Sequence, residues 1–420
     1  MRATPALLAH AEAALSELLG FSRPADRALS AFFRRHRNLG QQDRAFVAEA
    51  VFAVLRRKRS LEAAAGGAEP RQLLAAALVK VFGYSGRSLE WLDSIERIKS
   101  TANPGLPEAV QADLPDWLWQ QLVAEQGAGE AMRIARGLLN PAPLDLRVNL
   151  AKLSREAALA ELGAIAGLKA QATPYSPAGI RLEGKPPINR HRLFADGLVE
   201  VQDEGSQLLA WLVAPRRGEM VADFCAGAGG KTLALSMLMR GTGRVYAMDV
   251  SARRLADLSP RAVRAGVSNI HPIVLSGEGD VRARRLAGKL DRVLVDAPCS
   301  GFGTLRRNPD LKWRHDARAV SELAAKQARI LRAASRLVKP GGRLVYATCS
   351  LLAEENDAVA DRFSAEHPDF KALSCDELLA AQRIHMELGE RLRLWPHLHG
   401  TDGFFAAAFE RRTLQPSQER

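Results

Sequence analysis

Cysteine is scarce in this 420-residue chain. Its four cysteines, Cys225, Cys299, Cys349 and Cys375, include no pair at CxxC spacing, which argues against a zinc site and leaves no metal expected. So few thiols build no disulfide framework, and a reducing compartment, the cytoplasm, is the expectation. Long apolar runs are missing too: nothing approaches the roughly 18 residues that a membrane span needs. The N-terminal stretch MRATPALLAHAEAALSELLG is broken by His10, Glu12 and Glu17 and reads as an amphipathic helix, not a signal peptide. Acidic residues are the minority charge, 47 against 59 Lys and Arg, for a net charge of +12. That excess suits a polyanionic partner, because neutralising phosphates releases counterions. A solvated, arginine-rich surface accounts for it equally well.

What is present is an ordinary globular composition, long enough for two or three domains. Residues 1–135 read as all-helical. In QQDRAFVAEAVFAVLRRKRSLEAA, Phe46, Val47, Val51, Val54 and Leu55 fall at helical spacing. The basic run Arg56-Arg57-Lys58-Arg59 then reads as a solvated helix end or as a contact for RNA phosphates. Residues 136–200 read as a small α+β module. Leu144–Asn149 alternates as a strand, Ser154 caps a helix, and Gly179–Leu182 is a second strand. From 201 to 415 strands and helices alternate. The strand-like runs are Met220–Phe224, Arg244–Met248, Arg292–Val295 and Arg343–Ala347. Before the last of them, Val320, Leu323, Ile330, Leu331, Leu337 and Val338 share one helix face, and Lys339-Pro-Gly-Gly342 reads as the turn that ends it. Such alternation predicts a parallel, doubly wound, Rossmann-like sheet, with ligands outside the carboxyl ends of its strands.

The glycine-rich loop Cys225-Ala226-Gly227-Ala228-Gly229-Gly230-Lys231 follows one strand and opens a helix. Cys225 stands where a phosphate-binding P-loop needs its first glycine. Thr232 stands where a dinucleotide GxGxxG needs its last. A nucleoside ligand without a pyrophosphate fits better. Asp249 ends the next strand, where a carboxylate accepts from both ribose hydroxyls. Either Glu278 or Asp280, after the run Pro272–Leu275, is placed to meet an adenine amino group. S-adenosylmethionine carries this ribose and adenine together with a sulfonium.

Two more strand ends carry thiols, in Val295-Asp-Ala-Pro-Cys-Ser-Gly301 and Ala347-Thr-Cys-Ser350. If the strands are neighbours, Cys299 and Cys349 share one edge. Cytosine carbon 5 is too weak a nucleophile to take a methyl group unaided. A thiolate adding to carbon 6 makes an enamine that can. Asp296 would accept from the cytosine amino group, a donor that uracil lacks. The residues alone do not say which cysteine attacks. Downstream, Arg306, Arg307, Lys312, Trp313 and Arg314 suit phosphates and base stacking, while Trp313 equally suits a core.

DFCAGAGGKT, VDAPCSGFGTLRRNPDLKW and YATCSLLAEEN, with Asp402-Gly-Phe-Phe405, resemble the Nop/Sun family of RNA cytosine-5 methyltransferases, in particular its bacterial small-subunit ribosomal RNA enzymes. LGQQDRAFVAEAVFAVLRRKRSLE is similar to their N-terminal NusB-like RNA-binding helices. The resemblance implies S-adenosylmethionine as cofactor, RNA as partner and no membrane or metal. It assigns the nucleophile to Cys349 and proton removal or product release to Cys299. It maps the cofactor loop onto Cys225–Lys231, the ribose acid onto Asp249 and a catalytic acid onto Asp296, and it sets Lys231 near cofactor and base. Gly227-Ala228 stands where the family usually has alanine-proline, and the family's Gly-Asp pair becomes Ser276-Gly-Glu-Gly-Asp280. The target base must leave any stack to meet Cys349. The competing readings are a DNA cytosine-5 methyltransferase, a non-catalytic antitermination-type RNA binder, and a nucleotide hydrolase, the last disfavoured by Cys225.

Overall fold

The computed structural model describes residues 4–85, 98 and 105–413. The chain divides into two compact units: residues to Pro141 together with Thr304–Ala319, and Ala142–Gly303 together with Val320 onward.

The first unit is helical. Helices Pro5–Leu18, Ala25–Arg35, Gln41–Arg56, Lys58–Ala65 and Pro70–Lys80 bury Leu15, Phe32, Val47, Val51, Leu55, Leu73 and Leu74 in one core. All five apolar residues predicted on the third helix are buried. Pro5 opens the first helix and Thr4 caps it, where a missing N–H costs nothing. The basic run straddles a helix end, with Arg57, Lys58 and Arg59 partly exposed and Arg56 turned inward. Arg57 breaks the helix between Arg56 and Lys58, and Arg56 is buried, with Nη2 donating to the Arg306 carbonyl. Arg59 bonds the Leu114 carbonyl and Asp116. The segment 304–319 completes this unit. Lys312 is buried and donates to the carbonyls of Arg56 and Asp113 at 2.7 and 2.6 Å. Trp313 Nε1 donates to the Leu55 carbonyl at 2.8 Å. Lys312 and Trp313, candidates for RNA contact in sequence, are committed to packing.

The second unit holds two sheets. Strands β1 (Leu144–Val148), β2 (Ala170–Ala172), β3 (Gly179–Leu182) and β4 (Val199–Val201) form an antiparallel sheet in the order β2-β3-β1-β4. It covers the helix Arg155–Gly163, capped by Ser154 as expected. The larger sheet comprises β5 (Met220–Asp223), β6 (Arg244–Asp249), β7 (Ile270–Val274), β8 (Leu290–Asp296), β9 (Val338–Thr348), β10 (Phe370–Leu373), β11 (Leu392–Leu394) and β12 (Phe404–Arg411). Its order is β10-β12-β9-β8-β5-β6-β7, with β11 also on β12. The run β9-β8-β5-β6-β7 is parallel, whereas β10, β11 and β12 join antiparallel. The sheet is therefore mixed and not wholly parallel. β9 is buried on both faces, Leu344 and Tyr346 in one core and Val345 and Ala347 in the other. Such two-sided burial explains its unbroken apolar run.

Lys339-Pro-Gly-Gly342 is not the turn after a helix. The helix Ala317–Ser335 ends before it, and Val338 already pairs with Leu290. The four residues lie inside β9 where the register shifts, and Arg343 resumes pairing with Arg292. A bulge accommodates the proline, which has no ladder N–H to give.

Candidate active site

Four strands of the parallel sheet end in chemically useful residues: β5 in Asp223, β6 in Asp249, β8 in Asp296 and β9 in Thr348, just before Cys349. The loop after β5 turns over this edge. Gly229 has φ +82°, and a Cβ there would lie 2.2 Å from Leu258 Cδ1, so only glycine fits. The Gly227 amide donates to Asp249 Oδ2 at 2.8 Å, and Ala226 N reaches the Met248 carbonyl at 2.9 Å. Arg261 holds the Ala228 carbonyl. Arg147, buried in β1, donates to the Gly230 carbonyl at 2.8 Å, so the small sheet buttresses the loop. Asp249 also accepts the Ser251 amide at 2.7 Å and keeps lone pairs for a ligand.

Asp223 was not singled out in sequence, yet it is buried beneath this loop. Its Oδ2 accepts from the Thr232 hydroxyl at 2.8 Å, and its Oδ1 has no hydrogen-bond partner among the described residues. Burial pushes its carboxyl up to about 7. An orphaned carboxylate oxygen at a glycine loop is suited to a cation. Cys225, next to Asp223, is raised well above an ordinary thiol by burial and by Asp223, Asp296 and Asp249. It is an inert loop residue, not a nucleophile.

The two acids left open beyond β7 have different surroundings. Asp280 accepts from Ser276 N, Ser276 Oγ, Arg282 N, Arg282 Nε and Arg282 Nη2, all within 3.0 Å. Its carboxyl is held well below the usual range by Arg282 and the Ser276 amide. Its lone pairs are consumed in shaping the turn. Glu278 is approached by Arg329 at 3.9 Å and retains acceptor capacity.

β8 and β9 are parallel neighbours, and Asp296 pairs with Ala347. The consequence is that Cys299 Sγ and Cys349 Sγ lie 3.4 Å apart. The Cys349 carbonyl is fixed by the Gly303 amide at 2.8 Å. A Cβ on Gly303 would lie 2.1 Å from the Gly403 carbonyl, so this close approach also demands glycine. The hydrogen bond to Cys349, burial and the neighbouring charges push the Cys299 thiol well above its usual value. Cys299 is thus held as a thiol within hydrogen-bond distance of Cys349. Lys231 Nζ contacts Asp296 Oδ2 at 2.7 Å and lies 5.5 Å from the centre of the Phe404 ring. Burial alone would pull this ammonium down, but Asp296, Asp223 and Cys349 together hold it above the ordinary lysine value. Cys375, by contrast, is buried on the sheet with its thiol against the Ala406 carbonyl.

The fold therefore brings together Lys231, Asp296, Cys299 and Cys349, with the loop, Asp249 and Asp223 along the same strand ends. Besides Asp223, sequence reading missed Gln327, Glu355 and Asn356, buried beneath the cysteine turns. The signal available was Glu-Asn at six and seven residues beyond Cys349.

Residues 210–410 match the 16S rRNA methyltransferase RsmB/F family, and residues 114–189 match the RsmF/B-like ferredoxin-like domain. A probable ribosomal RNA small subunit methyltransferase B of Bacillus subtilis (strain 168) is 33% identical over 354 residues, covering 80% of this chain and 77% of that protein. A protein of the same name from Synechocystis sp. is 31% identical over 434 residues, covering 91% and 94%. Among solved structures, a methyltransferase homolog protein from Pyrococcus horikoshii superposes with a TM-score of 0.62 at 29% identity, covering 74% of this chain and all of that one.

Proposed function

Since the chain belongs to the RsmB/F family of 16S rRNA methyltransferases, we propose that it methylates carbon 5 of a cytosine in small-subunit ribosomal RNA through a bond between Cys349 and carbon 6. The observation that carries this reading is the pair of thiols 3.4 Å apart beside the Lys231–Asp296 ion pair. Ordinary methyl transfer to an amine or hydroxyl needs no such pair. Addition to a pyrimidine and later expulsion use both.

S-adenosylmethionine, when bound, supplies an electrophilic methyl group on a sulfonium. The residues present fit it. Asp249 would take the ribose hydroxyls, Glu278 the adenine amino group, and the orphaned Asp223 oxygen a positive charge of the amino acid portion. The loop Cys225–Lys231 offers backbone at close range.

The Cys349 thiolate adds to carbon 6 and shifts electron density to carbon 5. Asp296 accepts from the cytosine amino group while Lys231 holds its other side, which discriminates against uracil. After the methyl group has arrived, carbon 5 loses its proton to a solvent base. The freed pair restores the 5,6 double bond, and the carbon 6–sulfur bond breaks. Cys349 departs as a thiolate that accepts a hydrogen bond from the Cys299 thiol. The base has to be unstacked to reach these sulfurs, which are only half-exposed at the strand ends.

Two variants test the reading on a small-subunit rRNA transcript, with a DNA duplex of the same sequence as control. Cys349→Ala should abolish 5-methylcytosine formation while leaving S-adenosylmethionine binding within a fewfold of wild type. Full activity in that variant refutes the assignment. Cys299→Ala should accumulate an RNA–protein adduct on a denaturing gel. Normal turnover without adduct would count against its part in release.

A further inference from the structure

Beneath the two sulfurs lies a polar cluster that the chemistry above does not use. Glu355 and Asn356 are 0% and 2% exposed, and they divide the two cysteine turns between them. Glu355 Oε1 accepts the Ser300 amide at 2.8 Å and Gln327 Nε2 at 2.9 Å, and Oε2 accepts the Ser300 hydroxyl. Gln327 Nε2 also donates to the Pro298 carbonyl at 3.0 Å. The residues before and after Cys299 are therefore both held through Glu355 and Gln327. Asn356 treats Cys349 in the same way. Its Oδ1 accepts from the Thr348 hydroxyl, and its Nδ2 donates to the Ser350 carbonyl at 3.1 Å. The two brackets meet where Ser300 Oγ and Ser350 Oγ lie 3.2 Å apart. Tyr346 OH donates to the Glu355 carbonyl and lies 3.1 Å from Gln327 Oε1, anchoring the cluster to β9.

Burying a carboxylate here costs more than burying an apolar side chain of the same size. A satisfied polar network repays that cost in fixed geometry rather than in net stability. The reaction needs such geometry twice, once when Cys349 reaches carbon 6 and once when it leaves beside Cys299.

We propose that Asn356 and Glu355 are positioning residues with one cysteine each: Asn356 aims Cys349 for addition, and Glu355 sets Cys299 for release. The proposal rests on the covalent reading given above. The charge of Glu355 also contributes to keeping the Cys299 thiol protonated, the form that donates to the departing sulfur.

The test uses the full chain and two nearly isosteric variants, Glu355→Gln and Asn356→Asp. RNA made with 5-fluorocytosine has no proton to lose from carbon 5 once the methyl group has arrived, so its adduct reports addition and methyl transfer but not release. Adduct standing on ordinary RNA reports slow release. Asn356→Asp should slow adduct formation on fluorinated RNA by about tenfold to a hundredfold, as a misplaced nucleophile does, with no adduct building up on ordinary RNA. Glu355→Gln should form the fluorinated adduct at close to the wild-type rate and accumulate adduct on ordinary RNA. If either variant fails to fold, Thr348→Val replaces Asn356→Asp and Gln327→Met replaces Glu355→Gln, with the same expectations. Equal slowing of both steps in both variants, or wild-type kinetics in both, overturns the division. A wild type that forms no adduct on fluorinated RNA overturns the covalent reading, and this inference with it. A wild type that does, with variants that behave alike, overturns the inference alone.

Discussion

Asp223 combines a carboxyl raised to about 7 by burial with an oxygen that has no partner. Its charged form is the one that attracts a cation, so ligand affinity should depend on pH. As pH falls from 8 to 6, the carboxyl takes up a proton and S-adenosylmethionine binding should weaken, approaching about tenfold per unit below the midpoint. Titration calorimetry across this range should show that loss in wild type and a flat, weak profile in Asp223→Asn. At this scale the sequence is informative where chemistry needs a particular atom in a recognisable turn. Cys299 and Cys349 stand in such turns, with Asp249 at a strand end and Lys231 at the start of the helix after the glycine loop. Asp223 sits in the same motif, but burial is a property of what covers a residue, and nothing local announces it. Glu278 and Asp280 differ only in which donors surround them, so their spacing left both open.

Lys312 shows the same lesson for an element. In the sequence it is one cation among four in Arg306–Arg314, and a charged run normally reads as surface. In the fold it terminates the helix Gln41–Arg56 by donating to the Arg56 carbonyl, with burial pulling its ammonium down to about 7. The unfolded chain carries it near 10.5. Between those values the unfolded state holds a proton that the folded state lacks, so this group makes stability rise with pH, by up to about 1.4 kcal/mol per unit. Urea unfolding of wild type against Lys312→Met should show that rise between pH 7 and 9 in wild type alone. Equal pH slopes in the two proteins would disprove the buried ammonium. Lys339-Pro-Gly-Gly342 misled in the opposite direction. Proline and glycines read as a turn, but a bulge inside a strand asks for the same residues, and only the pairing of Leu290 with Val338 distinguishes them. Helices were readable from their apolar periodicity and parallel strands from their short apolar runs, both local properties. The antiparallel returns of β10, β11 and β12 depend on long-range pairing and were not.

For the molecule as a whole, the excess of 59 basic over 47 acidic residues is a statement about partners rather than fold. Because counterions are released from RNA, affinity for an rRNA fragment should fall at least about tenfold between roughly 50 and 200 mM salt. The measured slope of log affinity against log salt counts the phosphates engaged. A slope near zero would assign the basic excess to solvation. Among the described residues no helix is long and apolar enough to cross a membrane, and no cluster of metal ligands occurs.

The helical unit is discontinuous in the chain: its last piece, Thr304–Ala319, arrives more than 160 residues after Pro141. On a translating ribosome, the carbonyls of Arg56 and Asp113 must wait for Lys312 until most of the parallel sheet has already emerged. A gene fragment stopped at residue 141 would yield an N-terminal third lacking its own helix stop, and adding back a peptide spanning 304–319 should protect it from protease. These helices are not a detachable bead, since the polypeptide is stitched through them a second time.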